Sequence, residues 1–350
     1  MTPAAHTTDR TRELLRTILK QVSRSFYLTL IVVPRCVRNQ MGLAYLFARA
    51  ADTIADTELI DRSGRLLFLK KFRAQFAEDR VDWEEVRSIQ TALIPRQKDS
   101  GESALITRLE DCFRLYLECE PDDRARMRGL VRTLTNGMEM DLTVFTGGAA
   151  GEPVALQTME DLDRYTYYVA GCVGEFWTEM MCAHLPSLRG WNRVEMAKVG
   201  VRFGKGLQLT NVLKDLARDL HRGRCYLPAA LLREAGLGPH DLLNRENLSI
   251  LRPLLRKLVT TALDHLDQGW LYTMAIPRRE VRLRLACMWP ILFAGATLQL
   301  VSTSSDLLDP TVTLKISKGQ VYRIMALTTL TGGCGWVETA YWGRLRKRVV

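Results

Sequence analysis

What the chain lacks narrows its class. Eight cysteines occur without a single C-x-x-C pair. That spacing argues against a zinc site and against a disulfide framework, and it fits a reducing compartment. Residues 1–8 have no apolar stretch of the kind a signal peptide carries. No uninterrupted apolar run reaches the ~20 residues of a membrane-spanning helix. The longest, residues 285–301, is broken by Pro290 and Gln299 and reads as a buried core helix. No G-x-G-x-x-G follows a strand, so no Rossmann unit is expected. There is no internal repeat and no low-complexity segment. The net charge is +10, yet the basic residues are dispersed and no nucleic-acid-binding motif is present. A diphosphate substrate or an anionic membrane surface would use that charge, and solubility alone would account for it.

What is there is mostly helix. The 350 residues are 47% hydrophobic, enough for a sizeable core. Apolar side chains recur at helical spacing over residues 9–22, 39–57, 61–76, 104–117, 123–145 and 159–181. The same pattern covers 195–220, 252–270, 285–301 and 317–330. Residues 27–33 are β-branched and would pass locally for a strand, but no partner strand exists and Pro34 ends the run. Loops are expected at 93–102, 147–153 and 302–310, and a break at 332–335. The basic tail at 344–350, with its charge run at 344–348, is expected to be a solvated end or a membrane-surface contact. An all-α, single-domain fold over residues 1–350 follows.

Two acidic stretches organise this pattern: Asp52-Thr-Ile-Ala-Asp56 and Asp215-Leu-Ala-Arg-Asp219. No other Asp-x-x-x-Asp occurs in the chain. On a helix such residues share a face about 5–6 Å apart, and like charges there repel by roughly 0.2–0.5 kcal/mol. One such pair alone is most simply a solvated face. Both pairs, however, sit beside apolar helical sequence, at 42–51 and 206–213, where carboxylates need cations. If the two helices face each other, four carboxylates converge on one cavity. Hard oxygen donors of this kind suit Mg²⁺ bridging to substrate phosphates. Ser23-Arg24-Ser25-Phe26 offers hydroxyls and a guanidinium fork to phosphate oxygens. His221-Arg-Gly-Arg224 forms a basic turn beside Asp219. Tyr165 lies on an apolar helix face, where a tyrosine is ordinarily a core residue with its hydroxyl bonded.

Taken in order, these motifs resemble a known family. Ser23-Arg24-Ser25-Phe26 precedes Tyr45, Arg49 and the first acidic pair. Tyr165-x-x-Tyr168-Val169-Ala170-Gly171-x-Val173-Gly174, Gln208-x-x-Asn211, the second pair and Arg224-x-Tyr226-Leu227-Pro228 follow. This order and spacing, over about 210 residues, resemble the squalene/phytoene synthase family of head-to-head prenyl transferases. Cys287-x-x-Pro290, Ala294-x-Ala296-Thr297-Leu298 and Leu314-Lys315-Ile316-Ser317-Lys318-Gly319-Gln320 are similar to its squalene synthase branch.

The resemblance implies an isoprenoid-synthase-type helical bundle around a central apolar cavity. It implies two molecules of farnesyl diphosphate as substrate, Mg²⁺ (or Mn²⁺) and NADPH as cofactors, and presqualene diphosphate as intermediate. Tyr165 would face the reacting carbons, and Asp52, Asp56, Asp215 and Asp219, with Asn211, would hold the metal. Ser23, Arg24, Ser25, Phe26, Tyr45, Arg49, Val169, Gly174, Gln208, Asn211, Arg224 and Tyr226 would bind substrate. Gly171 and Gly174 would let an isoprenoid chain pass close to the backbone. Gly137-Met-Glu-Met-Asp141 matches a helix that lines the cavity. Lys315, Lys318, Cys287 and Pro290 would meet the cofactor, although an ordinary basic helix start explains the lysines equally well. A cytoplasmic monomer with a peripheral membrane contact and no nucleic-acid partner is expected.

Two positions depart from the family pattern. Lys214 stands where arginine is usual, and Arg218 where glutamate is common. Arg218 could pair with Asp215 or Asp219 and weaken metal binding. Three rivals remain open: a phytoene or dehydrosqualene synthase, an enzyme stopping at presqualene diphosphate, and a non-catalytic assembly factor for respiratory complexes. The four intact aspartates argue against the last.

Overall fold

A computed structural model of the protein describes residues 11–23, 26–78, 80–146, 152–332 and 335–349. The chain divides into two compact units, residues 1–142 with 179–186 and residues 143–178 with 187–350.

In the first unit a π-helical turn (Glu13–Ile18) leads into α1 (Leu19–Ser23), α2 (Tyr27–Val32), α3 (Arg35–Asp56) and α4 (Arg62–Ala74). Then come α5 (Trp83–Leu93), α6 (Ser100–Thr107), α7 (Leu109–Leu117) and α8 (Pro121–Val144). Three aspartates start helices. Asp61, Asp82 and Asp99 accept hydrogen bonds from first-turn amides of α4, α5 and α6, each cap worth roughly 1 kcal/mol. The core is aromatic. Phe47 of α3 has Phe76, Phe113, Tyr116 and Phe72 at ring-centroid distances of 4.8, 5.0, 5.9 and 6.3 Å. Such pairs contribute about 0.5–1.5 kcal/mol beyond their burial. Leu43, Phe47, Ala50 and Ile54 of α3 are fully buried. Helical spacing therefore turns Tyr45, Arg49, Asp52 and Asp56 to another face.

The second unit holds β1 (Val154–Ala155), α9 (Met159–Thr166), a π-helical turn (Tyr167–Gly171) and α10 (Cys172–His184), the last of which ends in the first unit. It continues through α11 (Arg193–Lys214), α12 (Leu216–His221), β2 (Arg224–Cys225) and α13 (Ala229–Glu234). The long helices α14 (Leu248–Ala275) and α15 (Val281–Thr303) follow, then α16 (Lys318–Leu330) and α17 (Trp336–Lys347). Val154 and Ala155 pair in parallel with Arg224 and Cys225, the one β pairing among the described residues. Small residues set how closely the helices approach. A Cβ at Gly174 would lie 1.9 Å from the Gly200 carbonyl oxygen of α11, and one at Gly204 would lie 2.1 Å from that of Ala170. Gly269 of α14 likewise admits the Phe203 ring. Helix α15 is long and apolar enough to cross a membrane, but most of it is buried in this unit, as expected of a core helix.

The structure is all-α, as the periodicity predicts, and it departs from the sequence reading in detail. Helix α5 was not anticipated. The helix expected over 104–117 breaks at Arg108, whose backbone (φ −101°, ψ 17°) leaves the helical region. The one over 159–181 is interrupted by the π-helical turn, and the one over 195–220 breaks at Asp215 (φ −96°, ψ 9°). The basic tail is not a free solvated end. Residues 344–347 belong to α17, whose Trp342 and Leu345 pack against Gly295 of α15. Arg346 Nε also donates to Asp267 at 2.7 Å. Residues 147–151 and 333–334, inside the expected breaks, lie outside the described residues.

Candidate active site

On α3, the first acidic pair occupies the last two turns. Its carboxylates therefore sit at the helix C-terminus, where the macrodipole is negative and disfavours anions by roughly 0.3–1 kcal/mol. Compensation comes from Arg49. Its guanidinium pairs with Asp52, three residues on, and with Glu102 of α6. Burial opposes its charge, but Asp52 and Glu102 outweigh burial and hold its pKa above the ordinary value. Phe26 stacks on Tyr45 of the same α3 face, with centroids 5.5 Å apart and planes 15° apart. Ser23 is buried, and its hydroxyl donates to the Leu19 carbonyl at 2.5 Å. Arg24 and Ser25 lie outside the described residues.

The second acidic pair lies across the α11–α12 junction. The Asp215 amide donates to the Asn211 carbonyl at 2.9 Å, and the Asp219 amide to the Asp215 carbonyl at 3.0 Å. Helical spacing survives the break, so Gln208, Asn211, Asp215 and Asp219 share a face. The Asn211 amide reaches Gln208 Oε1 at 3.5 Å. Both departures from the family pattern bear on Asp215. Arg218 Nη2 lies 2.7 Å from Asp215 Oδ1, and Lys214 Nζ lies 3.2 Å from Oδ2. Asp219 is left in a different state. Burial pushes its carboxyl up to about 6, and the charge of Asp215 adds to this against the opposing pull of Arg218, Arg224 and Arg222. An incompletely compensated carboxylate at a helix end is a place for a cation.

In the same unit Tyr165 is buried and stacks on Tyr226, with centroids 4.5 Å apart, and Tyr226 meets Phe145 edge-on at 5.0 Å. Arg224, in β2, stands two residues before Tyr226. The β1–β2 pairing holds Arg224 and Cys225, immediately before Tyr226. Val169 sits in the π-helical turn. Gly174 has a role other than the one expected of it. Its bare side is occupied by the backbone of Gly200, so the missing side chain brings two helices together rather than clearing a path for ligand. Lys315 and Lys318 are exposed before and at the first turn of α16, where the Ser317 hydroxyl accepts the Gln320 amide at 3.1 Å. Cys287 is buried in α15, and burial pushes its thiol far up, so it is a neutral packing residue. Pro290 is partly exposed on the same helix.

Sequence reasoning misses Glu102, while Arg222 lies in the basic turn it singles out beside Asp219. Glu102 was assigned to a loop, although Asp99-x-x-Glu102 is a capping signature that marks the start of α6. Among the described residues no three His, Cys, Asp or Glu side chains come together as a ready-made metal cage. Mg²⁺ is commonly held by one or two carboxylates, with water and substrate phosphates as its remaining ligands. Asp215, Asp219 and the Asn211 amide oxygen could serve as such a donor set, and Asp52 with Asp56 as a second.

Comparison with known proteins adds an independent line. The family model described as squalene/phytoene synthase matches residues 19–320. A squalene synthase from Cyberlindnera jadinii is 27% identical over 334 residues, covering 94% of this chain and 70% of that one. A bifunctional lycopene cyclase/phytoene synthase from Arthroderma gypseum is 29% identical over 253 residues, 70% of this chain. The chain spans only 39% of the length of that bifunctional relative. Among solved structures, TcSQS with the ligand E5700 superposes with a TM-score of 0.77 at 22% identity, covering 97% of this chain and 91% of that one.

Proposed function

The chain belongs to the squalene/phytoene synthase family of head-to-head prenyl transferases, and from that premise we propose that it is a squalene synthase. It joins two molecules of farnesyl diphosphate into presqualene diphosphate and reduces that intermediate to squalene. The observation that carries this reading over its rivals is the reach of the squalene synthase likeness, 334 residues. A match of that length takes in the 315–320 segment at the start of α16.

Bound Mg²⁺ supplies positive charge that lets a diphosphate leave. Asp215, Asp219 and Asn211 on one helical face would hold such an ion, as would Asp52 and Asp56 on α3. Arg224, and Arg49 in its carboxylate clamp, orient diphosphate oxygens. In the first half-reaction the carbon–oxygen bond of one substrate breaks, and diphosphate departs with the electron pair. The double bond of the second substrate attacks the allylic cation. Loss of a proton to the released diphosphate, directly or relayed through the Tyr165 hydroxyl, closes the cyclopropane. The apolar packing around Tyr165, Tyr226 and Phe145 keeps water from the cation. In the second half-reaction diphosphate leaves again and the carbon skeleton rearranges. NADPH, when bound, would supply the hydride that the rearranged cation takes up, and Lys315 and Lys318 are the groups that would hold its phosphates. The enzyme works as a cytoplasmic monomer in peripheral contact with a membrane surface.

The 29%-identical relative that carries phytoene synthase activity in its name favours a second reading, release of an unreduced product. One experiment separates the two. The protein is incubated with farnesyl diphosphate and Mg²⁺, with and without NADPH, and with geranylgeranyl diphosphate in parallel, and the products are identified. Squalene formed only with NADPH is the expected result. A single dehydrosqualene or phytoene product indifferent to NADPH would move the chain to the carotenoid branch. No condensation product from either substrate would leave a non-catalytic role.

A further inference from the structure

The stretch from Leu314 to Val350 carries seven basic residues and one acidic residue, Glu338. Glu338 contributes nothing at the surface. It is fully buried and accepts the Thr331 hydroxyl and the Gly335 amide in the turn between α16 and α17. Arg346 is engaged with Asp267. The other six cations form no ion pair among the described residues.

Both helices lie on α15. From α16, Ile324 is buried, and Thr328 accepts a hydrogen bond from Trp289 of α15 at 2.9 Å. Trp342 and Leu345 of α17 close over Gly295. The faces turned away from α15 are apolar as well as basic. Tyr322 is 64% exposed, Leu330 87% and Trp336 73%. Tyr322, Ala326 and Leu330 line up at i, i+4 and i+8, and Trp336 opens α17. A cleft of about 460 Å³ runs between the start of α16, the end of α17 and α15. Arg323 and Arg348 line it from two different elements, beside Ser317 and Gln320, with no carboxylate.

We infer that this face of α16–α17 docks the protein on an anionic lipid bilayer. The proposal rests on the peripheral reading above and locates it. Nucleic acid would match the cations but would leave Leu330 and Tyr322 without a partner. An interfacial helix places apolar and aromatic side chains at the acyl boundary and keeps cations at headgroup level. The Arg323–Arg348 cleft takes a headgroup phosphate, for which paired guanidinium groups are the suited donors.

The test is flotation of the full-length protein with vesicles of phosphatidylcholine alone and with about 30% phosphatidylserine, at low salt and at about 0.5 M salt. Binding is expected only with the anionic vesicles, weaker at high salt. Each basic residue at such a surface contributes about fivefold to partitioning. The triple variant Arg323→Gln, Arg344→Gln, Arg348→Gln should therefore bind about 100-fold more weakly, with its melting temperature and its turnover of detergent-dispersed substrate unchanged. Leu330→Ser with Trp336→Ser should weaken binding while keeping its salt dependence. Wild-type protein that ignores anionic vesicles overturns the peripheral reading and this surface together. Wild type that binds while the triple variant binds equally overturns only the surface. Release from vesicles by NADPH alone would assign the cleft to the cofactor. An oligomer in sedimentation velocity that Leu330→Ser and Trp336→Ser dissolve would assign the face to a second copy.

Discussion

Gly174→Ala distinguishes two roles for one small residue. A family resemblance makes it a place where an isoprenoid chain slides past the backbone, whereas the structure makes it a helix contact. An alanine Cβ there would sit 1.9 Å from the Gly200 carbonyl oxygen and 2.3 Å from its carbonyl carbon. Real Cβ atoms stay beyond 3.0 Å, so α10 and α11 must separate by about 1.1 Å (3.0 minus 1.9). The obstacle is backbone, which cannot rotate aside. The cost then falls at the upper part of the ~1–3 kcal/mol range for overpacking. At roughly 2 °C per kcal/mol for a chain of this size or larger, the melting temperature drops by about 4–6 °C. Gly129→Ala is the control. It lies inside α8 with nothing within 4 Å of its Cβ position, and there alanine stabilises by about 0.4–1 kcal/mol. Differential scanning fluorimetry of the two variants should show shifts of opposite sign. A Gly174→Ala protein that melts like wild type but shows a raised KM for farnesyl diphosphate would refute the packing argument and restore the ligand-clearance role.

Asp52→Ala and Asp219→Ala should each lower turnover by more than about 100-fold with the melting temperature preserved, since on the proposed function each loses a carboxylate that would hold the metal; near-normal product at saturating substrate would count against both assignments. Arg218→Ala frees Asp215 from an exposed ion pair worth about 0.5–1 kcal/mol. The half-saturating Mg²⁺ concentration should fall about two- to fivefold, and an unchanged or higher value would mean Arg218 does not compete with the metal. Tyr165→Phe should slow formation of presqualene diphosphate by about 10²–10⁴-fold at unchanged KM; a wild-type rate would reduce Tyr165 to a stacking partner of Tyr226. His265 accepts the Arg202 Nε–H at Nδ1 (3.2 Å). Burial first, and then Arg202 and Lys205, lower its pKa from 6.5 to about 4. Its folded pKa lies below its unfolded one, so the neutral ring's contribution to stability is complete above about 6.5 and is lost as pH falls toward 4. His265→Gln should flatten the fall of melting temperature over that window, and equal slopes in the two proteins would exclude this linkage.

Much of the fold was legible because helices are local. Buried residues of α3 recur at 43, 47, 50 and 54, and that period is written in the chain whatever surrounds it. The apolar 285–301 run announced a core helix for the same reason. Helix starts also carry local signals, in their capping residues. Asp82 and Asp99 mark the starts of α5 and α6, and Arg108 divides one expected helix into two. Other breaks could not be read this way. Nothing around 167–171 signals a π-helical turn, and Asp215 leaves the helical region without a glycine or proline.

The sequence by itself determined the chemistry that is present. Carboxylates spaced i, i+4, an arginine three residues before Asp52, and a tyrosine on an apolar stripe follow from residue identity and helical geometry alone. Tertiary structure decided what each group touches. Glu102 reaches Arg49 from 53 residues away, Tyr226, just past a two-residue β pairing, stacks on Tyr165, and Gly200 fills the gap at Gly174. Arg218 shows where the two sources meet. Its charge was evident from the sequence, and it could have served either aspartate. The break at Asp215 set its Nη2 against Oδ1 of Asp215 and left Asp219 the less compensated carboxylate. Helical periodicity constrains directions within one element, but the distance between two charges, and therefore their energy, is set only when elements pack.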